Sequence, residues 1–501
     1  MSYQSKSNDF LKIAESFKLG RLTTEKSHPK TIGLSEWANS DLERALKAIK
    51  EIDLSLFSTV LEKQSEIELF QRDVQETLEC GGRIFLCGCG ATGRLSLALE
   101  TIWNQSGNEK GRVISFMAGG DVALIHSIEN FEDHPEYGER QLLDLGFSDN
   151  DLLVAITEGG ETPFVIGAAE TAQRTSKRNP YFLYCNPDDI LCETVERSRR
   201  VIENKSIKKL NLTTGEMVLA GSTRMQASTI QMLVTGMALF NYNKDWPLNL
   251  MKKFEELSSS LLTPFIERES EIYKEGGGII YNCDSKLGIS VLTDTTERSP
   301  TFSLLPFEEN SSSAISHHSL CYLSLLGESR IEDAWKSLLS RDPRTLEWDE
   351  IKGLAAVDRL YRFDISSELI NKRRSYCKGE QYIFSLELNE EKLNIALDSR
   401  ECEIDFSGFD LLSVHIITKI LLNTHSTLVM GRLGRYESNI MTWVRPSNNK
   451  LIDRTIRYVD ILLRERNIER SYEQICEKLF EAMEGASKDD PLVLKTLEGL
   501  I

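Results

Sequence analysis

The sequence predicts an α/β protein with two doubly wound parallel-sheet domains in tandem, the second one degenerate, followed by a helical C-terminal region. Three observations lead to this fold class. Short apolar runs alternate with helical segments in the first half of the 501 residues, the same order of elements returns in the second half, and the pattern is helical from about residue 410 onward. A chain of this length has room for two or three domains.

The first half contains four runs that are apolar along their whole length, namely RIFLCG, RVISFMAGG, DLLVAITEGG and YFLYCN. Strands without a polar face are typical of parallel sheets that helices cover on both sides. Segments with helical periodicity, TGRLSLALETIWNQ and TPFVIGAAETAQR, follow the first and third runs. This alternation predicts a doubly wound sheet.

Residues 258–302 repeat the order helix, Gly-Gly, strand, loop and helix that residues 69–103 show. We interpret this repetition as a degenerate internal duplication, with two unrelated α/β units as the alternative. The expected limits are 1–54 for an N-terminal helical segment, 55–250 for the first α/β domain, 251–445 for the second and 446–501 for the C-terminal helical region.

The composition argues against several classes of partner. A formal net charge of −18 disfavours nucleic acid and anionic membranes, although a local site for an anionic ligand is compatible with it. Because no apolar run is long enough to cross a bilayer and the start has no apolar signal region, we expect a cytoplasmic protein whose ten cysteines are reduced. No metal is expected, since His317 and His318 lie in a serine-rich stretch without carboxylates at ligand spacing.

A glycine-rich loop follows the first strand. Gly88, Gly90 and Gly93 have the G-x-G-x-x-G spacing of a dinucleotide-binding loop. Such folds place an acidic residue about 20 residues further on, whereas Asp121 lies 28 residues beyond Gly93 and after two glycines. A dinucleotide enzyme is therefore disfavoured, and no cofactor is expected.

Three loops share a chemistry that suits a phosphate group. GCGATG (88–93), TEGGETP (157–163) and GSTR (221–224) each carry short hydroxyl side chains and lead into a helical segment. The N-terminus of a helix binds anions through its unpaired N–H groups and its dipole. For any one loop the alternative is an ordinary helix cap. Three such loops in one domain predict a site for a small phosphorylated ligand.

Several motifs occur in the order found in a known family. They are GCGATGRL, MAGG, FEDHPEYG, AITEGGETPFVIG, GEMVLAGSTRMQASTIQ and VRPSNNKLIDRTIRYV. Over about residues 22–465 the chain resembles the sugar isomerase (SIS) domain group that contains the N-acetylmuramic acid 6-phosphate etherases and the glucokinase regulatory proteins. Two SIS domains in one chain are more similar to the regulatory proteins, because the etherase chain has one such domain.

The resemblance implies a set of phosphosugar-binding residues. They are Gly90, Ala91, Thr92, Gly93, Thr157, Gly159, Glu161, Thr162, Ser222, Thr223 and Lys450. On charge grounds Lys450 also fits, since hydroxyls and amides alone leave a phosphate dianion uncompensated. The alternative for Lys450 is an exposed lysine at the start of a helix.

The etherase reaction is an elimination, in which a base removes a proton next to a carbonyl and an acid helps lactate to leave. By resemblance, Glu132 in NFEDHP is one of the two family glutamates. In the first half Ile102 occupies the second position, and Glu100, two residues away, lies about 200° round a helix and cannot replace it. In the second half Glu297, in TDTTERSPTF, fills that position.

The second half has lost the glycine pattern of its own phosphate loop, NCDSKLG (282–288), where Asp284 would repel a phosphate. We therefore expect one composite site per chain, with the phosphate loops and Glu132 from the first domain, and Glu297 and Lys450 from the rest. Such a chain corresponds to a fused two-fold dimer in which one site decayed, so a pseudo-dimeric monomer is expected. The alternative for Glu297 is a surface carboxylate or an ion pair with Arg298 or another neighbour.

The sequence therefore predicts a protein of the regulatory type, which binds a hexose or amino-sugar phosphate as a sensor in carbohydrate metabolism and has a possible sugar-kinase partner. The alternative is an N-acetylmuramic acid 6-phosphate etherase, or a related sugar-phosphate isomerase, that acts through Glu132 and Glu297. The regulatory function is preferred because, by resemblance, the regulatory proteins keep both glutamate positions without known turnover.

Overall fold

A computed structural model describes residues 2–17, 19–128, 131–310, 318–446, 448–487 and 490–501. The first half forms a sheet whose strands are β1 (Ile84–Gly88), β2 (Val113–Met117), β3 (Leu152–Ile156), β4 (Tyr181–Tyr184) and β5 (Lys208–Asn211). All pairs are parallel, and the strand order is β2-β1-β3-β4-β5. β1 to β4 are buried along their whole length, as their apolar sequences predict.

Helices cover both faces of this sheet. The helices of the first half are, in chain order, α1 (Tyr3–Ile13), α2 (Leu34–Ser40), α3 (Leu42–Glu62), α4 (Gln64–Glu79), α5 (Ala91–Gln105), α6 (Pro135–Asp144), α7 (Pro163–Thr175), α8 (Asp188–Thr194), α9 (Glu196–Glu203) and α10 (Gln226–Phe240), of which α1 and α2 pack away from the sheet. Alternate strand residues point to opposite faces. Phe85 therefore packs in the core with α6 and α7, whereas Ile84 packs in the core with α4, α5 and α10.

The second half forms a mixed sheet. Its strands are β6 (Gly278–Cys283), β7 (Cys321–Leu325), β8 (Gln381–Asn389), β9 (Lys392–Leu397) and β10 (Arg400–Asp405), in the order β10-β9-β8-β6-β7. The unit β7-β6-β8 is parallel and repeats the local order β2-β1-β3 of the first sheet, which supports the duplication. β8, β9 and β10 pair antiparallel, because the turn at Glu390 and Glu391 is too short for a crossover helix. The α/β fold class is confirmed, with a degenerate second sheet that is only partly parallel.

The remaining helices are α11 (Asp245–Glu256), α12 (Thr263–Lys274), α13 (Ser285–Phe302), α14 (Ile331–Leu339), α15 (Lys352–Ala355), α16 (Val357–Leu360), α17 (Leu369–Tyr376), α18 (Leu411–Arg432), α19 (Asn449–Glu465), α20 (Tyr472–Glu484) and α21 (Leu492–Glu498). A short hairpin of β11 (Tyr436–Glu437) and β12 (Ile440–Met441) precedes α19. Helices α5 and α10 of the first half pack against α13 and α18 of the second, and the two halves share one core.

Two of the domain limits expected from the sequence fall inside helices. The limit 54/55 lies within α3 and the limit 250/251 within α11, so the chain does not break at either place. Helices α19, α20 and α21 pack against one another, and α20 also packs against α1 from the other end of the chain. Within the described ranges, none of the helices has the length and apolar character needed to cross a membrane.

Candidate functional site

A cavity of about 260 Å³ lies beyond the carboxyl ends of β1 and β3. Loops of the first domain form one side of it, and α13 and α19 contribute side chains from the other side. The ends of parallel strands are the usual ligand position in such sheets. Because the loops, α13 and α19 all line this cavity, both halves of the chain and the helical region after them meet there.

Most of the predicted site residues line this cavity. Those that do are Gly90, Ala91, Glu132, Gly159, Glu161, Thr162, Ser222, Thr223, Glu297 and Lys450. Thr92, Gly93 and Thr157 are buried behind the cavity surface, where they support the loops. The structure thus brings together residues from six separate stretches of the chain.

In the first loop, Thr92 and Gly93 shape the backbone. The Thr92 hydroxyl is 2.9 Å from both the backbone N and the backbone O of Cys89, which closes the turn. A Cβ on Gly93 would lie 2.5 Å from the Cβ of Met117, so only glycine lets α5 start this close to β2. Gly90 has φ +55°, a backbone conformation that side chains disfavour.

In the second loop, Thr157 stabilises the turn and Glu161 pairs with two positively charged side chains. The Thr157 and Thr162 hydroxyl oxygens are 2.9 Å apart, and the N–H of Gly160 donates to Thr157. The Glu161 carboxylate forms ion pairs with Arg197 and Lys450. Burial acts to raise the pKa of Glu161, but the charges of Lys450 and Arg197 lower it to about 2. Glu161 therefore keeps Lys450 at the edge of the cavity.

In the third loop, Gly221 and Ser222 lie beneath α19. Gly221 has φ +68°, and a Cβ there would lie 2.4 Å from the hydroxyl oxygen of Tyr458. The Ser222 hydroxyl oxygen is buried and has no hydrogen-bond partner among the described residues. Arg224 forms an ion pair with Asp294 of α13 at 3.0 Å, which ties this loop to the second domain.

The three helices that begin at these loops have no side-chain cap within the described ranges. Their N-cap residues are Gly90 for α5, Thr162 for α7 and Met225 for α10. The first N–H groups of a helix have no partner inside the helix, and a side chain normally supplies one. The N-termini of α5 and α7, which border the cavity at Ala91 and Thr162, therefore remain available to an anion there, whereas α10 meets the cavity through the GSTR loop that precedes it.

Helix α19 and the N-terminal segment add charges that the motifs alone did not assign. Arg454 lies one turn from Lys450 and lines the cavity; its guanidinium donates twice to Glu25, at 2.6 and 3.0 Å. Arg94, which follows the GCGATG loop, also lines the cavity. The signal for Arg454 was its i+4 spacing from Lys450, which places both on one helix face. No comparable pattern marked Glu25.

The two predicted catalytic carboxyls differ in environment. Glu297 is 3% exposed, and one of its oxygens has no hydrogen-bond partner among the described residues. Burial raises the pKa of Glu297 against the opposing charge of Arg94. Arg298 pairs instead with Glu269 and Asp294, so the predicted alternative of a Glu297–Arg298 ion pair is absent from the described structure.

Glu132 lies half-buried across the cavity, where its carboxylate accepts a hydrogen bond from the Cys89 thiol at 3.3 Å. A third carboxyl, Glu158, also lines the cavity and was not singled out from the sequence, although it is the second residue of the TEGGET motif. Burial raises the pKa of Glu158 to about 7, and the charge of Glu297 adds to this effect. The carboxyls that line the cavity thus differ in pKa, so that they can be in different protonation states near neutral pH.

Three residues that the sequence analysis considered and did not assign to the site, Ile102, Glu100 and Asp121, lie away from the cavity. Ile102 is fully buried in the core. Glu100 accepts from Arg341 at 3.0 Å and from Arg344 at 2.7 Å, and Asp121 accepts from Arg341 at 2.6 Å. Glu100 and Asp121 therefore join the two halves and do not reach the cavity.

His317 lies outside the described residues. His318 lies near Glu308 and Cys377, and the ligand-type atoms of these three residues are within 4.8 Å of one another. The sequence did not predict this carboxylate neighbour. The oxygens of Glu308 already accept hydrogen bonds from Ser319, Tyr376 and Arg373, so the cluster is poorly suited to a cation.

Comparison with known proteins gives consistent matches. The family model described as the glucokinase regulatory protein N-terminal SIS domain matches residues 66–173. The N-acetylmuramic acid 6-phosphate etherase 1 of Bacillus licheniformis is 30% identical over 225 residues, which are 44% of this chain and 69% of that protein. The N-acetylmuramic acid 6-phosphate etherase of Rhodopirellula baltica is 30% identical over 296 residues, or 56% of this chain and 91% of that protein.

Among solved structures, the tagatose-6-phosphate ketose/aldose isomerase of Escherichia coli aligns with 84% of this chain and 100% of its own, at 11% identity and a TM-score of 0.45. That likeness is too low to bear on function. The sequence relatives confirm the family that the motifs indicated: the chain belongs to the SIS-domain family of the N-acetylmuramic acid 6-phosphate etherases and the glucokinase regulatory proteins.

Proposed function

We propose that this chain is a phosphosugar lyase that cleaves the lactyl ether of N-acetylmuramic acid 6-phosphate. One observation carries the proposal: the uncapped N-termini of α5 and α7, the GSTR loop, Lys450, Glu132 and Glu297 all border a single cavity. The relatives named as etherases at about 30% identity support the substrate. The relatives favour turnover over binding alone more than the carboxyls do, because by resemblance the regulatory proteins keep both glutamate positions too.

Each group has a role in this reaction. The N-termini of α5 and α7, the GSTR loop before α10 and the Lys450 ammonium would bind the phosphate. Glu132 would act as the base that removes the proton next to the sugar carbonyl. Glu297, whose pKa is raised by burial, would give its proton to the ether oxygen as the bond to lactate breaks.

Release of D-lactate tests the proposal. The purified chain, incubated with N-acetylmuramic acid 6-phosphate, should release lactate, and Glu297→Gln should strongly slow the release while the phosphosugar still binds. Glu136→Gln is a matched control, because Glu136 lies four residues from Glu132 and its side chain is exposed. Wild-type protein that binds the phosphosugar and releases no lactate would refute the lyase.

The second candidate is a regulatory protein that binds a phosphosugar without turnover. The match to the regulatory-protein domain model and the second α/β domain favour it. Phosphosugar-dependent binding of a sugar kinase, together with the absence of lactate release, would identify this function. A cytoplasmic location and a pseudo-dimeric monomer stay predictions of the sequence.

A further inference from the structure

A buried lysine lies behind Glu297 on the side away from the cavity. Lys419 is on α18 and is 7% exposed. Its ammonium group donates to the backbone oxygen of Arg224 at 2.8 Å, to the hydroxyl of Thr229 at 2.8 Å and to the amide oxygen of Asn423 at 3.0 Å. All three acceptors are neutral, so the hydrogen bonds satisfy its donors without neutralising its charge.

A small void of about 10 Å³, close to the size of one water molecule, connects this lysine to the candidate acid. Lys419 and Glu297 both line the void, and Ala91, Arg94 and Glu297 line the substrate cavity as well. Glu297 therefore stands between the two spaces, with substrate expected on one side and the ammonium group on the other.

Other charged groups surround the same carboxyl. Arg94 on α5 and Arg224 from the third loop are positive, and Asp294 on α13 and Glu158 after β3 are acidic. Arg224 is already paired with Asp294, whereas Lys419 has no carboxylate among its hydrogen-bond acceptors. The charge of Lys419 acts on Glu297, on Asp53 of α3 and on Asp294, and of these three carboxyls Asp294 is already paired with Arg224.

We propose that Lys419 is a positioning residue for the reaction, whose fixed positive charge stabilises the Glu297 carboxylate that remains once the proton has moved to the leaving lactate oxygen. A buried carboxylate formed during the reaction needs such a charge, because it cannot draw on bulk water. Burial lowers the pKa of Lys419 to about 8, so the amine is still mainly protonated at neutral pH. This inference rests on the proposed lyase function.

Titration of Glu297 by infrared spectroscopy tests the inference independently of turnover. The C=O band of the protonated carboxyl is assigned by its loss in Glu297→Gln and is followed between pH 5 and 8. Lys419→Met should raise the midpoint of Glu297 by about one pH unit, because it removes a nearby opposite charge. Lys419→Arg, which keeps the charge, should leave the midpoint near that of the wild type.

Thr229→Val separates charge from structure, because it removes one hydrogen bond of Lys419 and no charge. An unmoved midpoint in Lys419→Met, or an equal shift in Thr229→Val, would overturn the inference. Lys419→Gln, which is neutral and still hydrogen bonds, replaces the methionine variant if that variant does not fold. In the pH profile of lactate release, the fall in rate that accompanies deprotonation of Glu297 should move to higher pH, as the infrared midpoint does.

The two proposals fail separately. If the wild type releases no lactate, the lyase is refuted, and the infrared midpoint still decides whether Lys419 sets the charge of Glu297. If lactate is released and depends on Glu297 but Lys419→Met moves neither the midpoint nor the fall in rate, only the role of Lys419 is refuted.

Discussion

In the first domain α5 begins after Gly90 with no side-chain cap, whereas in the second domain α13 begins after Asp284, whose carboxylate occupies the helix N-terminus. Asp284 accepts from the N–H of Leu287 at 3.0 Å and from the N–H of Leu388 at 2.6 Å. The sequence predicted that Asp284 would repel a phosphate. The structure shows in addition that the Asp284 carboxylate itself occupies the place at the start of α13 where an anion would bind.

The second and third phosphate loops of the first half likewise have no uncapped equivalent in the described part of the second half. The first sheet continues from β3 through the TEGGET loop into α7, whereas β8 turns directly into β9. Helix α10 starts without a side-chain cap among the described residues, whereas α18, at the corresponding place, is capped by Asp410, which accepts from Ser413 at 2.9 Å. The second domain thus keeps the scaffold but has side-chain caps or a hairpin where the first domain has uncapped loops, while its Glu297 lines the cavity of the first domain.

The largest effect is expected from Glu297, whose equivalent position in the first half is occupied by Ile102. Glu297→Gln should lower the rate of lactate release by about 10²- to 10⁴-fold, the usual contribution of a general acid. The rate is measured at saturating phosphosugar, so that any change in affinity does not contribute. If Glu297→Gln and Glu136→Gln have the same small effect, the composite site is wrong.

The next effect concerns the cation that α19 supplies. Lys450→Met should weaken phosphosugar binding by about 10- to 100-fold, because it removes a charged hydrogen bond to the phosphate. Isothermal calorimetry at two salt concentrations checks this, with Lys47→Met on the exposed face of α3 as the control. Equal affinity in both variants would show that Lys450 serves only to pair with Glu161.

The equivalent glycines of the two halves should respond unequally. Gly93→Ala places its Cβ 2.5 Å from the Met117 Cβ and should destabilise the protein by about 1–3 kcal/mol. Gly288→Ala should cost less, since its nearest neighbour is the end of the flexible Leu325 side chain at 2.9 Å. Urea unfolding measures both, and the reverse order would contradict the duplication-based alignment of these loops.

The smallest effect concerns the cap of the second domain. Asp284→Ala should lower stability by about 1 kcal/mol, the usual cost of losing an N-cap, and leave phosphosugar affinity unchanged. Asp410→Ala, at the start of α18, is the matched variant. A second equivalent of phosphosugar bound by Asp284→Ala would show that the carboxylate alone suppresses a second site.

Much of the first sheet could be predicted because its strands are apolar on both faces, and the glycine and hydroxyl pattern of its loops marked one side of the cavity. The mixed second sheet was harder to predict, since whether β8 leads into a helix or a hairpin depends on a two-residue turn. Among the site residues, Thr92 and Thr157 carry hydroxyls that suit a ligand equally well, and the sequence could not show that they bond within their own loops.

Local sequence determined the strands of the first sheet, the loops at their ends and the family, because these depend on residue types over short distances. The family resemblance already led us to expect Glu297 at the site of the first domain, and the structure places it in that cavity. Tertiary structure alone decided that Arg454 pairs with Glu25 and that Lys419 lies behind the candidate acid. These contacts join residues far apart in the chain. They exist because α13, α18 and α19 are packed against the first domain, and no local pattern encodes that packing.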